Sequence, residues 1–489
     1  MLSVTRSRAS TRHVMRLATV PLALAWLAPI ATARADPLST VSPRSTLPST
    51  LRADRIVLAP GFDAAAYGLS RATPGFARQT GLACSTCHYA FPELTLFGRL
   101  FKLNGYTLTG LKTIGGQVPT ENTLKLAPIP PASAMAVISL THVQKSIPDV
   151  QNDAASFPDE VSLFLTGQVT PRVGAFIQIT YDGQEGSVGI DNTDIRFANH
   201  ATVASRDLLY GLTLHNNPSV QDVWNTTPAW GFPFVSSPVA PSPAASPLIE
   251  GGLEQSVLGL GAYALWNELV YAEFTAYRSA PQGGVASSSS SDIVDGVAPY
   301  WRVALQHQFG KTYAMIGSYG MVAHLFPSGI RGPTDRFVDV GVDGQFEYGT
   351  GKGVVILRAS YLHEGQRLEG LLAEDPPAAQ NMSNTLRTFR SSLSYMPNTR
   401  VDFTAGYFDI SGTHDAVLFA PDPLEGSAAG RPNSDGVITE LDFNAWENMR
   451  LGAQYVIYDR FNGRSGNFDG NGRDASNNNT LYIFAWTAF

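Results

Sequence analysis

Residues 161–181 read Val161-Ser162-Leu163-Phe164-Leu165-Thr166-Gly167-Gln168-Val169-Thr170-Pro171-Arg172-Val173-Gly174-Ala175-Phe176-Ile177-Gln178-Ile179-Thr180-Tyr181. Leu163, Leu165 and Val169 share one parity, and Ser162, Thr166 and Gln168 share the other. Side chains along a strand point alternately to opposite faces, so a period of two describes a strand with one apolar and one polar face. In the second half, Ile177, Ile179 and Tyr181 oppose Gln178 and Thr180 in the same way. The tight Thr170–Val173 segment joins the two runs into a hairpin.

This grammar begins at Ala134 and runs to the C-terminus. It predicts sixteen strands, starting near residues 134, 161, 174, 191, 204, 257, 269, 299, 312, 335, 352, 384, 399, 435, 448 and 479. Their connections alternate in length. Asn267-Glu268, Gly310-Lys311 and Pro397-Asn398 are short, whereas 144–160, 279–298, 366–383, 412–434 and 460–478 are long. An even strand count with short turns on one rim and long loops on the other is the pattern of a transmembrane β-barrel, whose short turns face the periplasm. The expected fold is therefore an all-β, antiparallel outer-membrane barrel over 134–489, with both termini periplasmic and membrane lipid as its surroundings. The final strand, Leu481 to Phe489, is aromatic and ends in Phe, as is common in such barrels. A soluble β-sandwich or solenoid is the competing fold, but it has little need of a strict short/long alternation.

Composition points the same way. Charged residues make up only 15% of the chain, against about 25% in ordinary soluble domains. Beyond the N-terminus no run reaches the ~18 apolar residues of a membrane helix. Segment 216–256 is Pro/Ser-rich and carries Trp224, Trp230, Phe232 and Phe234. It is too long for a plain connector, so it is expected to fold into the lumen as a constriction, with Pro241–Pro247 disordered.

The N-terminus is a targeting segment. Arg6, Arg8, Arg12 and Arg16 precede the apolar stretch Leu17–Ile30, and Ala33-Arg34-Ala35 supplies a small-x-small cleavage site. Residues 1–35 therefore read as a signal peptide. The remainder holds 29 basic and 41 acidic residues, a net charge of −12. That balance argues against a nucleic-acid partner and suits cations near the surface.

Residues 36–125 form a front module centred on Cys84-Ser85-Thr86-Cys87-His88. This C-x-x-C-H run is the attachment sequence for haem c. Cys84 and Cys87, the only cysteines in the chain, would form the thioethers, and His88 would be the proximal iron ligand. A thioredoxin-like pair lacks the adjacent histidine, and a zinc site needs further ligands that are not nearby. A helix is expected from Pro92, with Leu94, Phe97, Leu100, Phe101 and Leu103 on the face that covers the porphyrin, stopping at Asn104-Gly105. Residues 126–133, with Pro128, Pro130 and Pro131, read as a stiff linker.

The distal side of the iron has no evident ligand, because no Met and no second His lies between Asp36 and Ser133. Met135 shares the lumenal parity of Ser139 and Thr141 and is the candidate, with packing at the barrel mouth as its competing role. His142 has the opposite parity. Arg78, Arg99 and Lys102 are candidate partners for the haem propionates, against simple surface charge. Asp469-Gly470-Asn471-Gly472 begins like a calcium loop, but Arg473 breaks the ligand pattern. No hydrolase constellation is recognisable.

Pro74-Gly75-Phe76-Ala77-Arg78-Gln79-Thr80-Gly81-Leu82-Ala83, the C-S-T-C-H run and Pro92-x-Leu94-Thr95-x-Phe97-Gly98-Arg99-x-Phe101-Lys102-Leu103-x-Gly105-Tyr106 together resemble the fused cytochrome–porins of iron-oxidising bacteria. Val173-Gly174-Ala175-Phe176, Thr180-Tyr181-Asp182-Gly183 and Asn192-Thr193-Asp194-Ile195-Arg196 are similar to that family's early barrel. The resemblance implies one haem c module joined to a porin-like barrel. It further implies electron transfer from extracellular Fe(II), or another donor, to a periplasmic cytochrome or copper protein, as an Fe(II):cytochrome c oxidoreductase. Two other functions compete with this one. They are a diffusion porin whose haem module is a plug or redox sensor, and a soluble periplasmic cytochrome enzyme.

Overall fold

The computed structural model describes residues 74–108, 131–146, 153–184, 186–227, 236–279, 293–329, 331–422 and 426–489. The signal peptide, the first part of the front module, most of the linker, Trp230, Phe232, Phe234 and Ser287–Ser291 lie outside the described residues. Strands β1 (Ala132–Val143), β2 (Ala154–Thr170), β3 (Val173–Asp182), β4 (Ser187–Val203), β5 (Arg206–His215), β6 (Val257–Trp266) and β7 (Val270–Ser279) form the first half of the wall. The second half is β9 (Ala298–Phe309), β10 (Thr312–Phe326), β11 (Asp335–Gly349), β12 (Val354–Leu368), β13 (Ser383–Asn398), β14 (Val401–Gly412), β15 (Ser434–Trp446), β16 (Met449–Arg460) and β17 (Thr480–Ala488). The two-residue β8 (Ile293–Val294) only extends the rim, pairing with Leu325 and Phe326 of β10.

Each strand pairs antiparallel with its neighbour, and β1 pairs with both β2 and β17, which closes the sheet. Ala134 and Phe489 exchange backbone hydrogen bonds of 2.7 and 2.8 Å across the seam. The result is a closed barrel of sixteen spanning strands. The largest boundary error is at β2, which starts at Ala154 and not near 161. Its early residues look irregular in sequence but have ladder partners in β1. Asp159 turns inward there and accepts from Ser139 (2.8 Å) and Tyr482 (3.0 Å).

The two faces of the wall carry inverted polarity. Leu163, Leu165, Val169, Leu260, Phe274, Leu305, Ile316, Val342 and Leu393 are exposed on the outside. Ser162, Asp194, Arg196, Thr275 and Arg302 are all fully buried on the inside. Arg302 is 0% exposed while Ile316 is 66% exposed. A soluble sandwich buries the opposite set, so this wall is built for lipid outside and polar side chains within. The short turns lie on one rim: 171–172, 204–205, 267–269, 310–311, 350–353, 399–400 and 447–448. Consecutive left-handed residues, Ala204 and Ser205 or Asn267 and Glu268, match the right-handed twist of the flanking strands there. β1 begins and β17 ends at the same rim.

Candidate functional site

The lumen is filled in two tiers. The inner tier, near the short-turn rim, is a plug made from α1 (Gly75–Thr80), α2 (Cys84–Cys87), α3 (Leu96–Leu103) and the turn to Leu108. The C-x-x-C-H run closes a single helical turn, with the His88 amide donating to Cys84 O at 2.9 Å. Thr95 ties this turn to α3. Its amide donates to Cys87 O (2.9 Å), its hydroxyl donates to Thr86 O (2.7 Å), and the same oxygen caps the helix by accepting from Gly98 N (3.1 Å). The helix thus starts at Leu96 and not at Pro92. Gly98 packs against Cys87 O, where any β-carbon would clash.

The wall grips the plug on every side. Tyr106 donates to Asp194 (2.7 Å), and Tyr263 donates to Leu103 O (2.6 Å). His200 and Asn104 are 2.9 Å apart. Tyr89 donates to Glu347 (2.5 Å), Arg99 pairs with Glu347 (2.8 Å), and Glu93 pairs with Arg358. Arg450 donates to Phe91 O (2.9 Å), and Phe91 lies between the His88 ring and Trp486, with centroids 5.2 Å from each. Gln79 bonds to both sides of Gly167 in β2. Phe97, Leu100, Phe101, Leu103 and Tyr106 join one cluster with Trp224, Tyr263, Tyr271, Tyr313 and Met315. The apolar face of α3, expected to cover a porphyrin, is covered largely by the barrel. The front module has too few apolar residues for its own core, and the lumen supplies the rest.

Burial sets the chemistry of the C-x-x-C-H run. It raises the Cys84 thiol to about 11, with the Glu447 charge next in weight, and the Cys87 thiol to about 12. Neither is a low-pKa nucleophile of the redox-active kind. Burial also lowers His88 to about 4, so the imidazole is neutral, the form that binds a metal. The backbone at Pro92 and Glu93 acts on the His88 ring in the opposite direction, with less weight than burial. Two neutral thiols on one turn beside a neutral imidazole fit the demands of haem c.

The structure separates the other candidate residues. Arg78 Nη2 donates to Ala132 O, and Lys102 donates to Val220 O. Arg99 is 1% exposed, and its Nε and Nη2 are buried with no hydrogen-bond partner. That pair of atoms is the edge of the guanidinium that engages carboxylates in bidentate fashion. Met135 faces the lumen, packed with Phe164, Tyr482, Phe484 and Trp486. His142 is on the outside, paired with Asp153. Sequence reasoning missed Met396, which is 2% exposed in a cluster that packs against Tyr89 and Ala90, next to His88. Its lumenal parity at the short-turn end of β13 was the available signal.

The outer tier is the long connection between β5 and β6. Residues 216–227 are buried in the lumen, as a constriction loop should be. Asp222 accepts from the amides of Trp224, Thr226 and Thr227 at 2.9–3.0 Å and is 3.6 Å from Arg302, which also pairs with Asp343. Trp224 donates to Tyr313 (2.8 Å) and lies 4.9 Å beneath the Arg302 guanidinium. The later part is an ordered strap rather than a disordered tail. Ser237 meets Thr141 (2.7 Å), Pro241 O accepts from Tyr458 (3.2 Å), and the Leu248 and Ile249 amides donate to Glu364 (2.6 Å) and Asp339 (2.9 Å). Pro and Ser give the strap no period to read, so its order comes from these wall partners.

No family model matches this chain, and no curated protein does. Solved barrels align with it at low identity. Salmonella typhi OmpF in complex with daunomycin has 10% identity and a TM-score of 0.40, over 76% of this chain and 99% of that one. An anion-selective porin from Comamonas acidovorans has 10% and 0.41, over 73% and 99%. The outer-membrane channel DcaP of Acinetobacter baumannii has 12% and 0.41, over 73% and 96%. Likeness at this level concerns strand architecture and says nothing of cargo or cofactor.

Proposed function

We propose that this protein is an outer-membrane barrel whose plug carries one covalent haem c and passes electrons between the external medium and the periplasm. The observation that supports this most is the placement of Cys84, Cys87 and His88 on one half-buried turn inside the lumen. Cys84 and Cys87 would hold the porphyrin edge, His88 would hold the iron, and the unpaired edge of Arg99 would take a propionate. The haem supplies a one-electron couple, whose potential follows from ligation and burial. The chain's own residues fix the turn. Phe91 and Trp486 wall the His88 side, and Thr95 and Gly98 lock α3 onto the cysteines. Wall residues that touch Tyr89, Ala90 and Phe91, the three residues directly after the run (Glu347, Val354, Met396, Arg450, Trp486), all lie at the short-turn ends of their strands. The run therefore sits within reach of a carrier docking at that rim, which the short-turn rule makes periplasmic. Extracellular Fe(II) is the proposed donor, and a periplasmic cytochrome or copper protein the proposed acceptor.

The test is stopped-flow spectroscopy of the purified barrel mixed with Fe(II), alongside reconstituted vesicles with the long loops outward. A haem c spectrum that reduces on the millisecond-to-second scale supports the reading. A haem-free protein, or a haem that no external donor reduces, refutes it.

A second reading, a solute channel with the plug as its gate, is supported by the porin-type wall itself. Planar-bilayer recordings separate the two. A conduit with a permanently seated plug passes little ionic current, whereas a porin shows large steps that survive Cys84→Ser.

A further inference from the structure

We infer that the outward face of β10–β13, at its long-loop end, binds the phosphate of a lipid headgroup. The strand register assembles the site. His324 of β10 stands opposite Arg336 of β11, and Arg336 stands opposite Arg367 of β12. Four residues further down β12, two positions along the same face, His363 stands opposite Arg387 of β13. His324, Arg336, Arg367 and Arg387 are exposed and His363 is half-buried. All five share the parity of the lipid-facing Val340, Val342, Tyr361 and Phe389.

Like charges directly opposite one another destabilise a sheet, and little relieves them here. Among the described residues, the one carboxylate paired with this row is Glu369, 2.5 Å from Arg367. Elsewhere at this height the outer face differs. β6 and β7 offer Leu258 and a single Arg278, and on β14–β16 Arg460 is already paired with Asp409 (3.4 Å) and Asp435 (2.6 Å). The basic excess of β10–β13 is thus absent from β6, β7 and β14–β16.

The height of the row names the occupant. Below it on β11, Val338, Val340, Val342, Phe346 and Tyr348 face outward. Ten residues at about 3.3 Å per residue, tilted by about 40°, span roughly 25 Å, the depth of a barrel's apolar band. The His324–Arg336–Arg367 row thus lies in the headgroup plane, directly above a surface suited to acyl chains, with Arg387 lower, in register with Val340 through His363. Arginine engages phosphate in bidentate fashion. A phosphorylated lipid fits both halves at once, with its phosphates on the Arg336, Arg367 and Arg387 guanidinium groups and its chains on Val340, Val342, Tyr361 and Phe389. A soluble acidic protein would satisfy the charges and not the belt below.

This inference rests only on the barrel being seated in a membrane, and not on the haem. Its test uses the full chain in neutral-lipid nanodiscs doped with a diphosphorylated glycolipid, its dephosphorylated counterpart, or neither. Bound lipid is read by native mass spectrometry and affinity by titration. The wild type is expected to retain the phosphorylated lipid and to prefer it over the dephosphorylated form. Inorganic phosphate at millimolar concentration should not displace it. The triple variant Arg336→Gln/Arg367→Gln/Arg387→Gln is expected to bind on the order of a hundredfold more weakly, while Arg278→Gln binds as the wild type does. Equal retention of both lipids, displacement by free phosphate, or an unchanged triple variant overturns the assignment. Heat-modifiable electrophoretic mobility reports folding and insertion separately, and the corresponding triple Arg→Lys variant, which keeps the charge, should recover most of the binding.

Discussion

The wall of this barrel and the plug inside it are built by opposite means. The wall repeats one local rule, apolar outward and polar inward, and each strand needs only its two neighbours. The plug has no such period. Its three helices span six, four and eight residues, each too short to be stable alone, and side chains from the surrounding wall complete its core. The wall should therefore survive loss of the plug, and the plug should not survive loss of its wall partners.

The strongest break of that comparison is Cys84→Ser/Cys87→Ser. It is expected to abolish covalent haem while the barrel keeps its heat-modifiable mobility, read by pyridine haemochrome and electrophoresis. Loss of the folded barrel in this variant would show that wall and plug are one folding unit. Next in size is Arg302→Ala, which leaves Asp222 and Asp343 buried without their cation. A cost of about 3–5 kcal/mol is expected for breaking a buried pair in this way. The consequence is release of the 216–227 loop, visible as new protease cleavage there and larger single-channel current.

Titration gives a smaller and signed effect. Burial, with Arg196 next in weight, lowers the Lys102 ammonium from 10.5 to about 8. Between those values the unfolded chain holds a proton that the native chain has lost, so stability rises with pH through that window. Below about pH 8 both states are protonated and the cost of burying the charge is fully present. Seating of the plug, followed by amide exchange of α3, should therefore tighten from pH 8 towards 10, and Lys102→Met should flatten the slope. The smallest expected effect is Tyr263→Phe, which removes one buried donor to Leu103 O. It should cost about 1–3 kcal/mol, seen as faster amide exchange in the plug with the wall unchanged.

The wall was legible because its information is local. Strand starts such as 257, 312 and 335 agree with the observed β6, β10 and β11, and the parity of Leu163, Leu165 and Val169 gave the lipid face directly. Errors arose where a residue's role depends on something distant in sequence. Pro92 looked like a helix start, but the Thr95 side chain caps the helix. Pro241–Pro247 looked disordered, but Tyr458 and Asn462 from the far end of the chain hold it. Met396 was passed over because nothing near it in sequence connects it with Tyr89 and Ala90, which its cluster packs against.

The sequence by itself determined the strand number and the sidedness of the wall, since each follows from spacing within a few residues. Only the tertiary structure decided that the C-x-x-C-H turn lies inside the lumen at the short-turn end, and that Arg99 keeps both Nε and Nη2 without a hydrogen-bond partner while Arg78 Nη2 and Lys102 donate to backbone carbonyls. It also decided that His324, Arg336 and Arg367 stand in one row. These depend on which strand faces which and at what register, and closing the sheet through β1 and β17 fixes every register at once.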